Sequence, residues 1–332
     1  MSKKKILPQA IFIACEGRST EKNYFQLIGE IFGHELNYAL TVYPDENEAK
    51  PKSDPVGLIN EAISRKDEGF DELWAVFDKD GYTKHDDAFK LAQENGINIA
   101  FSSISFEEWV LLHFGRYSAS FVKSDCKNDK GKYLECGSHK YEKDCCGARC
   151  VAGFMRENNF FPAYSKSSNN SIYPFLRSKT ETAIMNSSWL RYTIKDEINR
   201  CGDQIFNLNP FTNVDFLVKR LIGSNINHHY FRVGDSLEND MFSVNVHIPL
   251  PDLAIVVITN KINRRIINKN NLNDLFSVSD NNQLLPVDIK ESYLLEPYKK
   301  TIVNLHLTGN SNRVAEVIIK WDSNDYFHFI RE

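Results

Sequence analysis

The sequence predicts a mixed α/β protein with a mostly parallel sheet flanked by helices, a helical extension, and a C-terminal all-β, sandwich-like domain. In the first third, short apolar runs alternate with segments of helical periodicity, as in strands joined by crossover helices. Residues 151 to 222 are predicted to be helical. From about residue 225, strand-like runs are separated by turns rich in Asn and Asp. We therefore expect three parts, 1–122, 123–224 and 225–332.

Each predicted strand of the first part is a short run of apolar, β-branched or aromatic residues, and each helix carries apolar residues on one face. The first helix begins near Glu21, with Ser19 or Thr20 as its N-cap. The predicted strands cover 10–14, 38–43, 73–77 and 97–102, and the predicted helices cover 21–32, 56–65, 86–94 and 106–114. In the last part, the predicted strands cover 242–248, 253–258, 300–307, 314–321 and 326–330.

The composition is that of an ordinary globular protein. The 332 residues are 42% apolar and 25% charged, with a net charge of −4, so any nucleic-acid contact must come from local basic patches. No apolar run approaches the ~20 residues that cross a membrane, and Pro8 and Gln9 interrupt the first apolar run, which we interpret as a strand rather than a signal peptide. Seven cysteines, an odd number, fit a reducing compartment. We expect a cytoplasmic protein with no membrane partner.

Carboxylates follow three of the four predicted strands. Glu16 follows the first strand, Asp78 and Asp80 follow the third, and Glu107, with Glu108 beside it, opens the helix after the fourth. Ligands and metals bind at the carboxyl ends of strands in open α/β sheets, so these side chains are expected to converge. Like charges in one cleft repel each other, and a hard divalent cation takes oxygen ligands. The alternative for the Asp pair is a solvated Asp-rich turn.

The order and spacing of these motifs resemble those of one protein family. A Glu-Gly pair after one apolar strand and an Asp-x-Asp pair about 60 residues later, after another, are similar to the TOPRIM (topoisomerase–primase) domain. Over roughly residues 8 to 222, the chain resembles the RloB-like family, a branch of TOPRIM nucleases found at bacterial restriction and phage-defence loci. The matching motifs are Cys15-Glu16-Gly17 with Thr20-Glu21 and Asn23-Tyr24-Phe25, Phe77-Asp78-Lys79-Asp80, Ser105-Phe106-Glu107 with Trp109 and Leu111-Leu112-His113-Phe114, and Asn209-Pro210 with Thr212, Val214 and Leu217-Val218.

The resemblance implies a TOPRIM-like catalytic domain over 1–122 that works as a metal-dependent nuclease. In TOPRIM nucleases, the glutamate after strand one does acid/base or metal work beside the scissile phosphate, and the Asp-x-Asp pair holds Mg²⁺ (or Mn²⁺). This assigns catalytic roles to Glu16, Asp78, Asp80 and Glu107, with the first three as metal ligands. Such a metal polarises the phosphoryl oxygen and stabilises the leaving oxygen.

Three basic residues are candidates for binding the substrate phosphate. Arg18 lies in a turn before a helix N-terminus, which favours anions, and Lys22 and Lys79 lie close to the carboxylates in sequence. The substrate implied by the resemblance is RNA (tRNA among the candidates) or DNA, cleaved in antiphage defence. Because an unrestrained nuclease harms its host, we expect a protein partner or trigger to control it. The C-terminal domain is expected to sense that trigger, bind a partner or mediate homo-oligomerisation.

Two other functions fit the same residues. A catalytically silent module could use the α/β domain as a scaffold for binding nucleic acid or a protein partner. A haloacid-dehalogenase-type phosphatase is the third candidate, because Asp78-Lys79-Asp80-Gly81 begins like its D-x-D-G-T motif, although Tyr82 stands where that motif has Thr.

Five of the seven cysteines lie between residues 126 and 150, in a stretch rich in lysine. The nearest approach to zinc-ligand spacing is formed by Cys136, His139, Cys146 and Cys150. These residues predict a structural Zn²⁺ site, and incidental thiols in a surface insertion are the alternative. The lysines also make this stretch a candidate nucleic-acid contact, although a solvated loop fits them equally well.

Overall fold

In the computed structural model, the described residues are 7–17, 19–45, 48, 50–79, 82–121, 124, 150–162, 164, 170–238, 240, 242–250, 253–261, 275–280, 283–285, 287–288, 300–307, 314–321 and 324–331. The chain divides into two compact units, Met1–Ser224 and Asn225–Glu332. Within the described ranges, no helix is both long enough and apolar enough to cross a membrane.

Unit 1 is built on one five-stranded sheet with the order β2-β1-β3-β4-β5. The first four strands along the chain pair with one another in parallel, and β5 pairs with β4 in the antiparallel direction. The strands are β1 (Gln9–Cys15), β2 (Tyr38–Tyr43), β3 (Glu72–Asp78), β4 (Asn98–Ser103) and β5 (Phe211–Thr212). The predicted mostly parallel, helix-flanked sheet is therefore confirmed.

Helices cover both faces of this sheet. They are α1 (Thr20–Phe32), α2 (Pro55–Ser64), α3 (His85–Asn95), α4 (Glu107–Leu111), α5 (Val151–Glu157), α6 (Tyr173–Leu176), α7 (Thr180–Thr193), α8 (Lys195–Cys201) and α9 (Val214–Ile222). Short 3-10 helices also lie at Lys66–Glu68, Arg177–Lys179 and Ile205–Asn207. The apolar faces of α1, α4, α5, α7 and α9 share one core, and those of α2 and α3 share another on the opposite side of the sheet.

The residues of β1 show why the sheet is buried on both faces. Successive side chains of a strand point to opposite faces. Ile11 and Ile13 accordingly lie in the core with α1, whereas Phe12 and Ala14 lie in the core with α2 and α3. A continuous apolar run is what a parallel strand covered on both sides requires.

Two sequence predictions in unit 1 are wrong in detail. The helix predicted over 106–114 ends at Leu111, because the amides of His113 and Phe114 bond to carbonyls three residues back and so tighten the last turn. The helical extension predicted over 151–222 is interrupted by β5. Pro210 cannot continue a helix, and the Asn213 side chain accepts from Phe101 N at 2.6 Å and donates to Ile99 O at 3.2 Å, which ties this segment to β4.

Unit 2 is a β structure, as the sequence predicts. Its strands are β6 (Asn227–Arg232), β7 (Ser236–Glu238), β8 (Phe242–Leu250), β9 (Leu253–Asn260), β10 (Phe276–Asp280), β11 (Gln283–Leu285), β12 (Val287–Asp288), β13 (Lys300–Leu307), β14 (Glu316–Lys320) and β15 (Asp325–Ile330). They form two sheets with the orders β11-β10-β14-β15-β6 and β12-β13-β9-β8-β7. Apolar residues of both sheets share one core, which includes Val244, Val256, Phe276 and Val317. All pairs are antiparallel except β6 with β15.

A chain of polar side chains runs through this unit. Glu316 accepts a hydrogen bond from Ser279 at 2.7 Å and contacts His328 Nδ1 at 2.8 Å. The other nitrogen of the His328 ring lies 2.9 Å from His228 Nδ1. Ser279, Glu316 and His328 are buried, and His228 is half-buried. Buried polar groups in folded proteins are nearly always hydrogen-bonded, as these are. The contact with His328 gives the His228 ring a structural partner on the neighbouring strand.

Candidate functional site

The carboxyl ends of β1 and β3 bring Glu16 and Asp78 together. The two strands pair directly, with Cys15 opposite Val76, and the amide of Glu16 donates to Val76 O at 3.0 Å. Glu16, the next residue, therefore lies level with Phe77 near the end of β3, and its Oε2 accepts the amide of Asp78 at 3.3 Å. Asp78 is buried, whereas Glu16 is half-buried. Two of the residues predicted to be catalytic are thus neighbours, joined by the Glu16 carboxylate and the Asp78 backbone amide.

A tyrosine hydroxyl joins this pair. Tyr82 follows the Asp78-to-Asp80 segment, and its hydroxyl lies close to the side chains of Glu16 and of Ser53, which is in the loop before α2. Burial is the largest cause that raises the pKa of Tyr82, and the charges of Glu16 and Asp78 raise it further. The phenol therefore keeps its proton, which makes it a hydrogen-bond donor beside the Glu16 carboxylate.

A further carboxylate lies beside Gly17. A Cβ atom at this position would collide with Oε2 of Glu21, so only glycine lets the Glu21 carboxylate rest against the backbone that follows Glu16. Glu21 is in the first turn of α1, where the helix dipole favours negative charge. The charge of Glu21 also contributes to the raised pKa of the buried Cys15 thiol, after the larger effect of burial.

Backbone contacts fix the end of β3. The buried His85 ring donates from Nε2 to the carbonyl oxygen of Asp78 at 3.0 Å, and the amide of Lys79 donates to Ser102 O at 3.2 Å. Burial lowers the pKa of His85 and, separately, that of Lys79. A neutral imidazole at the start of α3 therefore holds the backbone carbonyl of Asp78.

Glu107 is enclosed rather than open to solvent. It begins α4 with 1% of its surface exposed, and the Tyr164 hydroxyl donates to its Oε1. The same hydroxyl lies close to Thr20, the first residue of α1. Burial first, and then the charge of Glu107, raises the pKa of the neighbouring Glu108 well above its usual range. Tyr164 thus connects Glu107 to the loop that carries Glu16.

The predicted phosphate-binding residues have different outcomes. Lys22 is largely buried and lines a groove of about 430 Å³ between α1 and β2. Lys79 is half-buried directly after Asp78. Arg18 lies outside the described residues.

The metal predictions remain predictions. Among the residues that the structure describes, no three His, Cys, Asp or Glu side chains are grouped closely enough to hold a metal ion. Asp80, one of the three predicted Mg²⁺ ligands, lies outside that part of the chain, as do Cys136, His139 and Cys146 of the predicted zinc site. Cys150, the residue directly before α5, is buried.

A family model described as RloB-like protein matches residues 11–221. The chain belongs to this RloB-like family. No significant match is found among curated proteins, and none among solved structures. The RloB-like region includes β2 to β5 of the unit 1 sheet, β1 from Ile11 onward and every site residue described above, and it ends at Leu221, before unit 2 begins.

Sequence patterns missed four residues that shape this RloB-like site. Glu21 belongs to the matching Thr20-Glu21 motif, which assigns it no role, and Tyr82 lies two residues after Asp80, so proximity along the chain could have suggested both. His85 acts through its ring on a backbone carbonyl, for which no pattern exists. Tyr164 lies 57 positions after Glu107 and carries no local signal of the contact.

Proposed function

We propose that the RloB-like region is a TOPRIM-type phosphodiesterase that depends on Mg²⁺ (or Mn²⁺) and cleaves nucleic acid. The observation that supports this most strongly is the contact between Glu16 and Asp78 at the ends of two adjacent parallel strands. That edge of an open α/β sheet is where ligands bind. Like-charged groups are brought together there by the fold itself, rather than by an accident of surface loops.

The donor chemistry of this edge fits a hard divalent cation. Glu16 and Asp78 offer carboxylate oxygens, which are the ligands that Mg²⁺ and Mn²⁺ prefer, and Asp80 would add a third. When bound, such a cation supplies charge stabilisation at the phosphoryl and leaving oxygens. No thiol or imidazole is needed in this set.

The side chains around the carboxylates have orienting roles in the proposed site. The Tyr82 hydroxyl lies close to Glu16 and limits the rotation of that carboxylate in the proposed site, and His85 fixes the backbone of Asp78 through its carbonyl. Preorganisation of this kind removes a reorganisation cost during the reaction. Tyr164 holds Glu107 in a buried position, which gives Glu107 a role in placing α4 against the loop that carries Glu16.

We further propose the biological context that the family resemblance suggests. The substrate is RNA, with tRNA among the candidates, or DNA, and cleavage serves antiphage defence. A protein partner or trigger restrains the activity, and unit 2 senses that trigger, binds the partner or forms a homo-oligomer.

A cleavage assay tests the proposal. Full-length protein is incubated with tRNA, single-stranded RNA, single-stranded DNA and duplex DNA, in Mg²⁺ and in EDTA. We expect cleavage in Mg²⁺ alone, and a loss of at least about 100-fold in Asp78→Asn. Asp87→Asn, the same change at an exposed position of α3, is the matched control and should cleave like the wild type. Equal cleavage by Asp78→Asn and wild type would show that the site is wrongly assigned.

The enclosure of Glu107 favours a second candidate, a catalytically silent binding module. A carboxylate that is 1% exposed and held by a tyrosine is typical of a structural role. This alternative predicts tight binding of nucleic acid or a partner that is unaffected by EDTA and by Glu16→Gln. It also predicts that none of the four nucleic-acid substrates is cleaved.

A further inference from the structure

One phenylalanine of unit 1 is held rigidly yet left open to solvent. Phe175, in α6, is 49% exposed. One side of its ring stacks on Phe161, with the ring centroids 4.2 Å apart and the planes at 26°. The Phe114 ring lies against it at 6.2 Å. Since Phe161 is only 8% exposed, the Phe175 ring rests on a fixed base and keeps free apolar surface.

Two cations follow this ring directly. Arg177 and Lys179 begin and end the 3-10 helix after α6, and both are exposed. The Lys179 ammonium lies 4.5 Å from the centroid of the Phe114 ring, and the Arg177 guanidinium lies 5.6 Å from that of Phe32. Within the described part of the chain, neither has a carboxylate within ion-pair distance. The exposed ring is therefore flanked by positive charge that no described acid neutralises.

The exposed ring is connected to the candidate site through two contacts. Phe161, which supports Phe175, packs edge-on against Tyr164 with the centroids 5.4 Å apart. The Tyr164 hydroxyl in turn donates to Glu107 and lies close to Thr20. A ligand resting on Phe175 would thus lie on the same packed cluster that supports the loop carrying Glu16.

We propose that Phe175 is a stacking platform for an unpaired nucleobase, with Arg177 and Lys179 holding the neighbouring phosphates of the same strand. This rests on the proposed function and narrows its substrate to nucleic acid that is single-stranded at this point. An exposed aromatic ring offers a face to any base, and stacking of this kind tolerates sequence. A base inside a duplex already has its faces covered by its neighbours. The cations supply the contact with the phosphates, which makes the binding dependent on salt.

Unit 1 contains a matched control for this platform. Phe216, in α9, is 51% exposed, and the Arg191 guanidinium lies 4.5 Å from its ring centroid. However, Arg191 bonds to both carboxylate oxygens of the buried Asp215, at 2.7 and 2.8 Å. Phe216 therefore has the same exposure and a nearby cation, but the charge of that cation is already balanced.

The test measures binding of fluorescein-labelled 12-nucleotide strands to the full chain in EDTA, by anisotropy, with a base-paired hairpin as comparison. We expect Phe175→Ala to weaken single-strand binding by about 5- to 150-fold, the range of one base stack. Phe175→Leu, which keeps apolar volume without an aromatic face, should show a similar loss. Phe216→Ala should stay within about twofold of wild type, since no base stack is lost.

The charge contribution has its own readout. Replacing both cations, by Arg177→Gln with Lys179→Gln, should lower the slope of log Kd against log salt by about 1.4, the value for two phosphates of a single strand. Hairpin binding should be unaffected by Phe175→Ala. An equal loss for hairpin and single strand, or an equal loss in Phe216→Ala, would overturn the proposal. So would wild-type protein that binds no single strand.

Cleavage in Mg²⁺ is recorded separately, so that the two proposals fail independently. If binding depends on Phe175 but no cleavage occurs, the proposed stacking platform is supported and the proposed phosphodiesterase activity is rejected. Cleavage with single-strand binding that is indifferent to Phe175→Ala would retain the hydrolase and reject the platform.

Discussion

The hydrogen bond from Tyr164 to Glu107 gives the sharpest structural prediction. Tyr164→Phe removes one oxygen atom and leaves the ring packing in place. Both residues are buried, at 3% and 1% exposure, so water cannot replace the lost donor. A hydrogen bond to a charged group contributes about 1.5–3 kcal/mol. In a unit of this size, each kcal/mol lowers Tm by about 2–4 °C, so we expect a fall of about 3–12 °C.

The assay is thermal and urea unfolding of wild type, Tyr164→Phe, Glu107→Gln and the double variant. Glutamine keeps an acceptor oxygen but removes the charge, and a charge-assisted hydrogen bond is about twice as strong as a neutral one. Tyr164→Phe should therefore cost about half as much free energy of unfolding when Glu107 is already Gln. The same loss in both backgrounds would refute the contact. Tyr117→Phe, at a half-buried tyrosine, is the control for removing a hydroxyl as such.

Three further predictions follow. Tyr82→Phe removes the hydroxyl that lies close to Glu16 and should lower Mg²⁺-dependent cleavage by about 10- to 100-fold, the usual effect of losing a residue that orients a metal ligand. Burial lowers the pKa of His113 to about 4, so the unfolded state takes up the proton first and stability falls as pH drops from 6.5 towards 4. At pH 5, wild type should lose about 2 kcal/mol through this group, and that part of the loss should vanish in His113→Asn. Glu316→Ala removes the buried acceptor of His328 and should destabilise unit 2 by about 3–5 kcal/mol.

Each of these three predictions has its own measurement. For Tyr82, the pKa of the phenol is measured by absorbance, as the difference between wild type and Tyr82→Phe. This pKa should fall in Glu16→Gln, and an unchanged pKa would contradict the proximity of Tyr82 to Glu16. For His113, urea midpoints are compared at pH 8 and pH 5, and the exposed His34→Asn should retain the full wild-type loss. For Glu316, amide hydrogen exchange of unit 2 reports the change; protection equal to wild type would show that the polar chain contributes nothing.

Periodicity and composition predict β1 to β4 of the unit 1 sheet and the helices between them. The strands that carry Glu16 and Asp78 are continuous apolar runs, because both faces of the sheet are covered by helices, and such runs are easily recognised. The sequence does not predict β5, because a strand of two residues is too short to show a periodic pattern. The segment is held against β4 by the Asn213 side chain, which lies 112 residues away from its partner Phe101. Tertiary contact, rather than local propensity, decides that segment.

The candidate site shows the same division. Glu16 and Asp78 were predictable as neighbours, because the carboxyl ends of parallel strands meet at one edge. The enclosure of Glu107 was not predictable, because it depends on Tyr164 reaching back from beyond α5. In unit 2, the His228 contact with His328 depends on a parallel pairing between β6 and β15, whose members are 100 positions apart.

Binding of Mn²⁺ tests most directly the claim that Glu16 and Asp78 form a metal centre. Titration of the full chain, followed by the electron paramagnetic resonance signal of free Mn²⁺, is compared for wild type, Asp78→Asn and the control Asp87→Asn. We predict a tight site in wild type and in Asp87→Asn, competed by Mg²⁺, that is absent in Asp78→Asn. A tight site that survives unchanged in Asp78→Asn, or no tight site in the wild type, would contradict the proposed metal centre.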